Sequence, residues 1–246
     1  MIEGRILKQF SDRHQTTIDN VTREYIQHLF LSFLYQEKKS ESLLFKGGTA
    51  LRLVWQSPRF SEDLDFTGIK ISISQIEALM ESTLEKIEKE GIKTDIKESK
   101  KTSGGYLSIF HFKTSEYESG IQIEVSLRPT SKDSGTVSLI SSDMIPPYTL
   151  VHLDVQNLVT EKIQACLTRA KARDFYDLYF ILRSRMAFHE IFSKDKGLKA
   201  KLLSAIENQK LDIRSELKRF LPTSQQLLLK NFKSTLLSEL ERNIPH

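Results

Sequence analysis

The spacing of apolar residues divides the chain into a first part with both helix and strand patterns and a second part that is helical. Residues 17–36 carry apolar side chains at helical spacing. The pattern then predicts strands at 42–46, 63–69, 93–98, 106–113 and 120–128, with helices at 49–55 and from Ser74 to a stop at Gly91. The sequence Ser74-Gln-Ile-Glu77 is expected to form the capping box of that second helix. Beyond about residue 155 helices are predicted at 157–168, 174–184, 196–207 and 223–242.

This order of elements predicts an α+β fold with two domains. We expect residues 1–150 to form a mixed sheet with flanking helices, and residues 151–246 to form a helical half after the break at Pro146-Pro147. The longest apolar stretch, at 28–35, is too short to cross a bilayer. The N-terminus lacks the pattern of a secretion signal, and the lone Cys166 is typical of a reducing compartment, so we expect a cytoplasmic protein. A net charge of +4 permits a polyanionic partner but argues for one only weakly.

A glycine pair lies where a predicted strand meets a predicted helix, in the sequence FKGGTALRLVW. Gly47 and Gly48 lack Cβ atoms, so they permit a tight turn and a close approach of backbone N–H groups to a ligand. The helix that begins at Thr49 directs its unsatisfied N–H groups and positive dipole end to the same place. The turn is therefore a candidate phosphate site, although a glycine pair alone more often marks an ordinary loop.

Three acidic residues on two predicted strands form a candidate metal site. Asp63 and Asp65 share one face of a strand, with Cα atoms about 6.6 Å apart, while Leu64 and Phe66 face the core. Glu124 lies on the polar face of GIQIEVSLR, a strand that could pair beside the first. Paired carboxylates of this kind bind the Mg²⁺ ions used in phosphoryl and nucleotidyl transfer, and a third acid could bind metal or accept a proton. The alternative is a pair of strands with solvated acids.

The helical half carries a row of cations followed by two acids. Lys162, Arg169 and Arg173 would share one face of a continuous helix, from which Lys162 and Arg169 could offset the charge of a triphosphate. Asp174 and Asp177 are three residues apart and also share a face. The alternative is a solvated helix surface with ordinary charge pairs.

The stretch GGTALRL followed by RFSEDLDF resembles the AbiEii/AbiGii toxin family of nucleotidyltransferases, which belongs to the DNA polymerase beta-like superfamily. Gly48 and Arg52 match one element of the family pattern. Lys162 in LVTEKIQACLTRA matches the helical lysine of the family, and KARDFYDLYFIL, with Arg173 before Asp174 and Asp177, matches its Asp-x-x-Asp element. The resemblance covers about residues 40–185 and implies a nucleotidyltransferase-type sheet followed by helices.

The resemblance also implies a reaction and a set of site residues. It implies an enzyme that moves a nucleoside monophosphate from an NTP to an acceptor hydroxyl with Mg²⁺, or with Mn²⁺, and that releases pyrophosphate. The metal ligands would be Asp63, Asp65 and Glu124. The catalytic set adds Lys162, Asp174 and Asp177 to these three acids. The nucleotide would be bound by Gly47, Gly48, Thr49, Arg52, Lys162 and Arg169.

The acceptor implied by the family is the 3′ end of tRNA, in a toxin–antitoxin or phage-defence system with a cognate antitoxin. Basic residues of the helical half could contact RNA phosphates: Lys199, Lys201, Lys218, Arg219 and Lys230. Three alternatives stay open: transfer to a small molecule or a protein, a nucleotide-binding partner protein without turnover, and a purely structural helical partner of an antitoxin.

Overall fold

The computed structural model describes residues 2–128, 134–186, 191–192, 195, 197–208 and 212–244. The chain forms two compact units, Met1–Leu153 and Asp154–His246. Among the described residues, no helix has both the length and the apolar character needed to span a membrane.

The first unit is a mixed sheet with helices. Its helices are α1 (Gly4–Arg13), α2 (Ile18–Leu34), α3 (Gly47–Trp55) and α4 (Ile73–Lys89). Its strands are β1 (Leu43–Lys46), β2 (Leu64–Gly68), β3 (Lys93–Thr102), β4 (Gly105–Lys113), β5 (Glu118–Ser126), β6 (Gly135–Ile140) and β7 (Tyr148–Leu153). These seven strands form one sheet in the order β3-β4-β5-β2-β1-β7-β6.

Strand direction varies across the sheet. The pairs β2–β5 and β1–β7 are parallel, whereas β1–β2, β3–β4, β4–β5 and β6–β7 are antiparallel. Helix α2 packs against β5. On the neighbouring strand β4, the ring centroid of Phe110 lies 6.1 Å from that of Phe30 of α2. The α+β class and the mixed sheet predicted from the sequence are confirmed.

Alternating burial along β2 and β5 follows the predicted pattern. Leu64 and Phe66 are fully buried, and Ile121, Ile123 and Val125 are at most 2% exposed. The side chains between them stay accessible to solvent, apart from the buried Thr67. Each strand thus turns one apolar face to the core and presents polar side chains on the other face.

The first half differs from the prediction in three places: two features that were not predicted and one capping box that was placed wrongly. Helix α1 was not predicted, nor were β6 and β7, the hairpin that completes the sheet. Strand β7 joins the sheet through a parallel pairing of Phe45 with His152, a contact between distant residues that no local pattern reveals. The capping box of α4 is formed by Ser72 and Gln75, two residues earlier than expected, while Gly91 follows the end of α4 with a φ of +84°.

The second unit is helical. Its helices are α5 (Val155–Thr168), α6 (Ala172–Arg183), α7 (Leu198–Glu207), α8 (Ile213–Leu217) and α9 (Phe232–Asn243). The segment Thr223–Asn231, predicted as the start of the last helix, is a 3₁₀ helix instead. The Asp154 side chain caps α5 by accepting hydrogen bonds from the backbone N–H groups of Gln156 and Asn157.

Candidate active site

The glycine turn joins β1 directly to α3. Gly47 has a φ of +83°, in the left-handed region where a residue with a side chain is strained. A Cβ atom at Gly47 would overlap the Asp65 carboxylate, lying 2.8 Å from Cγ and 2.9 Å from Cβ of that residue. The absent side chain therefore lets the Asp65 carboxylate lie against the turn.

Asp65 lies on β2, which is the middle strand of the three neighbours β5, β2 and β1. It is in register with Lys46 at the end of β1 and with Glu124 on β5, so the predicted pairing of the two acid-bearing strands is confirmed. Asp65 is partly exposed and Glu124 is exposed. The Glu124 carboxylate accepts a hydrogen bond of 2.7 Å from Gln122 Nε2. Two acids thus stand side by side on neighbouring strands, whose spacing is about 4.8 Å.

Asp63 precedes β2 and is held differently. Its own carbonyl oxygen accepts a hydrogen bond from Thr49 Oγ1 at 2.5 Å. The preceding carbonyl groups of Ser61 and Glu62 accept hydrogen bonds from Gln27 Nε2 at 3.0 and 3.1 Å. Asp63 is partly exposed, whereas Thr49 is fully buried.

Arg52, predicted to bind the nucleotide, is extensively bonded within the first unit. Its Nε and Nη2 atoms donate to the two carboxylate oxygens of Glu24 at 2.6 and 3.2 Å, and Nη1 donates to the carbonyl groups of Ser57 and Pro58. Its guanidinium carbon lies 3.9 Å from the ring centroid of Phe60. All three guanidinium nitrogens are therefore engaged with the helix and the loop around them.

Two polar residues outside the predicted site, Arg59 and Ser61, lie against Gly48. A Cβ atom at Gly48 would overlap Arg59 Nη2 and lie 2.8 Å from Ser61 Oγ. Arg59 is 4% exposed, and its Nη1 donates to the carbonyl oxygen of Phe60. Both residues belong to RFSEDLDF. Their position directly before the acids is the sequence feature from which they could have been predicted as site residues.

Four predicted site residues of the second unit form two ion pairs between α6 and the C-terminal part or C-cap of α5. Lys162 Nζ donates to Asp177 Oδ2 at 2.7 Å, with side chains 8% and 1% exposed. Arg169 binds the fully buried Asp174 through Nε and Nη2, at 2.6–3.1 Å, and the backbone N–H of Lys171 donates to the same carboxylate.

Lys162, Arg169 and Arg173 do not lie on one continuous helix, and the predicted helix end at Thr168 is confirmed. Helix α5 ends at Thr168, and Ala170 has a φ of +47°, which reverses the chain before α6 begins at Ala172. The reversal brings the acids of α6 to the cations of α5 and its end. The predicted residues are thus brought together as two groups, one in each unit.

Comparison with known proteins identifies the family. The family model described as "Nucleotidyl transferase AbiEii toxin, Type IV TA system" matches residues 29–243. The chain belongs to the AbiEii family. It is therefore a nucleotidyltransferase toxin of a type IV toxin–antitoxin system, which confirms the resemblance carried by the glycine turn and the acids.

Solved structures agree with this AbiEii assignment at the level of the fold. MenT4, a nucleotidyltransferase toxin from Mycobacterium tuberculosis, is 15% identical and superposes with a TM-score of 0.65, over 98% of this chain and 89% of that chain. JHP933 from Helicobacter pylori is 21% identical, with a TM-score of 0.53 over 92% of this chain and 95% of that chain. No curated protein sequence matches the chain.

The acids of this AbiEii chain have the chemistry that suits magnesium. Carboxylate oxygens are the ligands Mg²⁺ prefers, and Mg²⁺ at such sites usually keeps water and takes substrate phosphates as further ligands. Among the described residues, no three His, Cys, Asp or Glu side chains are grouped closely enough to hold a metal ion by themselves. Asp63, Asp65 and Glu124 offer carboxylate oxygens, which are the type of ligand that a magnesium ion would take.

Proposed function

We propose that this AbiEii toxin transfers a nucleoside monophosphate from an NTP to an acceptor hydroxyl. The observation that carries the proposal is the position of Asp65, which lies against Gly47 on one side and in register with Glu124 on the other. A phosphate seat and neighbouring carboxylates are the parts that metal-dependent nucleotidyl transfer requires.

Each group of the first unit has a role in this reaction. Gly47, Gly48 and the backbone N–H of Thr49 would bind the phosphates. Asp63 and Asp65 would hold Mg²⁺ or Mn²⁺, with Glu124 either as a third ligand or as the acceptor of the hydroxyl proton. A metal ion bound there would supply positive charge that polarises the phosphate. The acceptor oxygen attacks the α-phosphorus, the bond from that phosphorus to the bridging oxygen breaks, and pyrophosphate leaves. The hydroxyl proton passes to a carboxylate, which is the exposed Glu124 where that residue does not bind the metal.

For the second unit we retain the prediction that Lys162, assisted by Arg169, offsets the negative charge of the phosphates. Asp177 and Asp174 hold these two cations, as the ion pairs of 2.7 and 2.6 Å indicate. Arg52 has a supporting role in the proposal, since its guanidinium nitrogens are engaged by Glu24 and the loop.

The acceptor we propose is the 3′ end of tRNA in the cytoplasm. The biological outcome we propose is growth inhibition and phage defence, and the partner that neutralises the toxin is an antitoxin. Support comes from the family and from the basic residues of the second unit. Lys199 donates to the Ile244 carbonyl and Lys201 pairs with Asp195. Lys218 and Lys230 are exposed, and Arg219 is exposed with its guanidinium carbon 4.4 Å from the ring centroid of Phe220; all three stay candidates for phosphate contacts.

The test is incubation of the protein with Mg²⁺, total tRNA and each α-labelled NTP in turn, followed by a denaturing gel. Asp63→Asn and Asp65→Asn should abolish labelling of tRNA, whereas Glu62→Gln, which removes a neighbouring charge, should retain it. Circular dichroism checks that the variants are folded. Label in protein or in a small molecule would replace tRNA as the acceptor, and full activity of both Asn variants would overturn the assignment of the acids.

A further inference from the structure

Asp63 lies just outside the hydrogen-bonded ladder of the sheet. Strand β2 begins at Leu64, and the registers with β1 and β5 begin at Asp65 and Leu64 respectively. Asp65 is therefore fixed by neighbouring strands on both sides, whereas Asp63 requires other contacts to hold its backbone.

Two buried side chains supply these contacts from two different helices. Gln27 of α2 is 1% exposed, and its Nε2 donates to the carbonyl of Glu62, the peptide group that precedes the Asp63 Cα. Thr49 of α3 is fully buried, and its hydroxyl donates to the carbonyl of Asp63, the peptide group that follows that Cα.

Fixing both peptide planes fixes φ and ψ of the residue between them, because these angles are the only soft backbone torsions at that residue. We infer that Gln27 and Thr49 are positioning residues that set the direction of the Asp63 carboxylate. This inference rests on the proposed role of Asp63 as a metal ligand. It gives the Thr49 hydroxyl a task separate from the predicted phosphate contact of its backbone N–H.

A second threonine provides a matched control. Thr83 of α4 is fully buried, and its hydroxyl donates to the Leu79 carbonyl at 2.7 Å. Thr83→Val and Thr49→Val therefore remove the same kind of buried hydrogen bond from the same unit, and only Thr49→Val releases the peptide group beside Asp63.

The experiment compares Thr49→Val, Thr49→Ser, Gln27→Met and Thr83→Val in the full chain. We expect kcat to fall at least tenfold in Thr49→Val and Gln27→Met, with KM for the NTP changed less than threefold. Thr49→Ser should recover most of kcat, and Thr83→Val should match the wild type. A second readout is the affinity for Mn²⁺ in the presence of the α,β-methylene analogue of the preferred NTP, which should weaken about tenfold in the same two variants.

The outcomes separate this inference from the proposed function. If Asp63→Asn is inactive while Thr49→Val and Gln27→Met match Thr83→Val in kcat and Mn²⁺ affinity, the positioning role is overturned and the metal-ligand role stands. If Asp63→Asn keeps full activity, the proposed role of Asp63 as a metal ligand fails, and full activity of Asp65→Asn as well would overturn the assignment of the acids. Equal loss in Thr49→Ser and Thr49→Val would also overturn the role of the hydroxyl. Should Thr49→Val fail to fold, Gln27→Met carries the test.

Discussion

Replacing Gly47 by alanine tests whether the turn and Asp65 are packed as a unit. The φ of +83° at Gly47 would strain an alanine by about 1–2 kcal/mol. The new Cβ would also overlap the Asp65 carboxylate, with 2.8 Å to Cγ. Overpacking of this kind costs about 1–3 kcal/mol in addition, because the side chain or the strand must move.

Gly91 offers a control with almost the same backbone. Its φ is +84°, and a Cβ atom there would meet no atom within 4 Å. Gly91→Ala therefore carries the strain alone, and both substitutions reduce the freedom of the unfolded chain equally. The difference between the two variants in the free energy of unfolding should be about 1–3 kcal/mol, which measures the contact with Asp65.

The assays are urea unfolding followed by circular dichroism and transfer of labelled nucleotide. A carboxylate displaced by about 1 Å should reduce transfer about 100-fold in Gly47→Ala, whereas Gly91→Ala should keep wild-type activity per folded molecule. Equal stability of the two variants, together with normal transfer by Gly47→Ala, would refute the packing of Asp65 against the turn.

Three further predictions concern buried ionisable groups. Lys162→Met should lower the free energy of unfolding by about 3–5 kcal/mol because it leaves the Asp177 carboxylate buried without the ammonium. In urea unfolding, the double variant Lys162→Met with Asp177→Leu should recover much of the lost free energy of unfolding. The double variant should nevertheless stay inactive in nucleotide transfer. Burial lowers the pKa of His28 to about 4, below its usual 6.5. Because the unfolded chain then binds the proton more readily, the free energy of unfolding should be highest above pH 6.5 and should fall by about 3 kcal/mol as the pH drops to 4. This dependence should flatten in His28→Gln, and an unchanged pH profile would contradict it. Burial raises the pKa of Cys166 well above its usual value, so a thiol reagent at pH 8 should label the protein only as fast as it unfolds.

The sequence by itself determined the residues that carry the chemistry and the elements beneath them. The alternating patterns of DLDF and GIQIEVSLR predicted which side chains are buried, because a strand turns successive side chains to opposite faces. They placed Leu64, Phe66 and Ile123 in the core, and Asp65 and Glu124 on the polar face. The glycine pair and the family pattern around it were equally local, and they identified the AbiEii family before any contact was known.

Tertiary structure alone decided what holds these residues in place. Gln27 and Thr49 reach the backbone around Asp63 from separate helices, across 35 and 14 positions of sequence, and Phe45 pairs with His152 from the far end of the first unit. The chain reversal at Ala170 likewise turned an expected row of cations into two ion pairs. Such contacts depend on how elements pack together, and periodicity within one element carries no information about them.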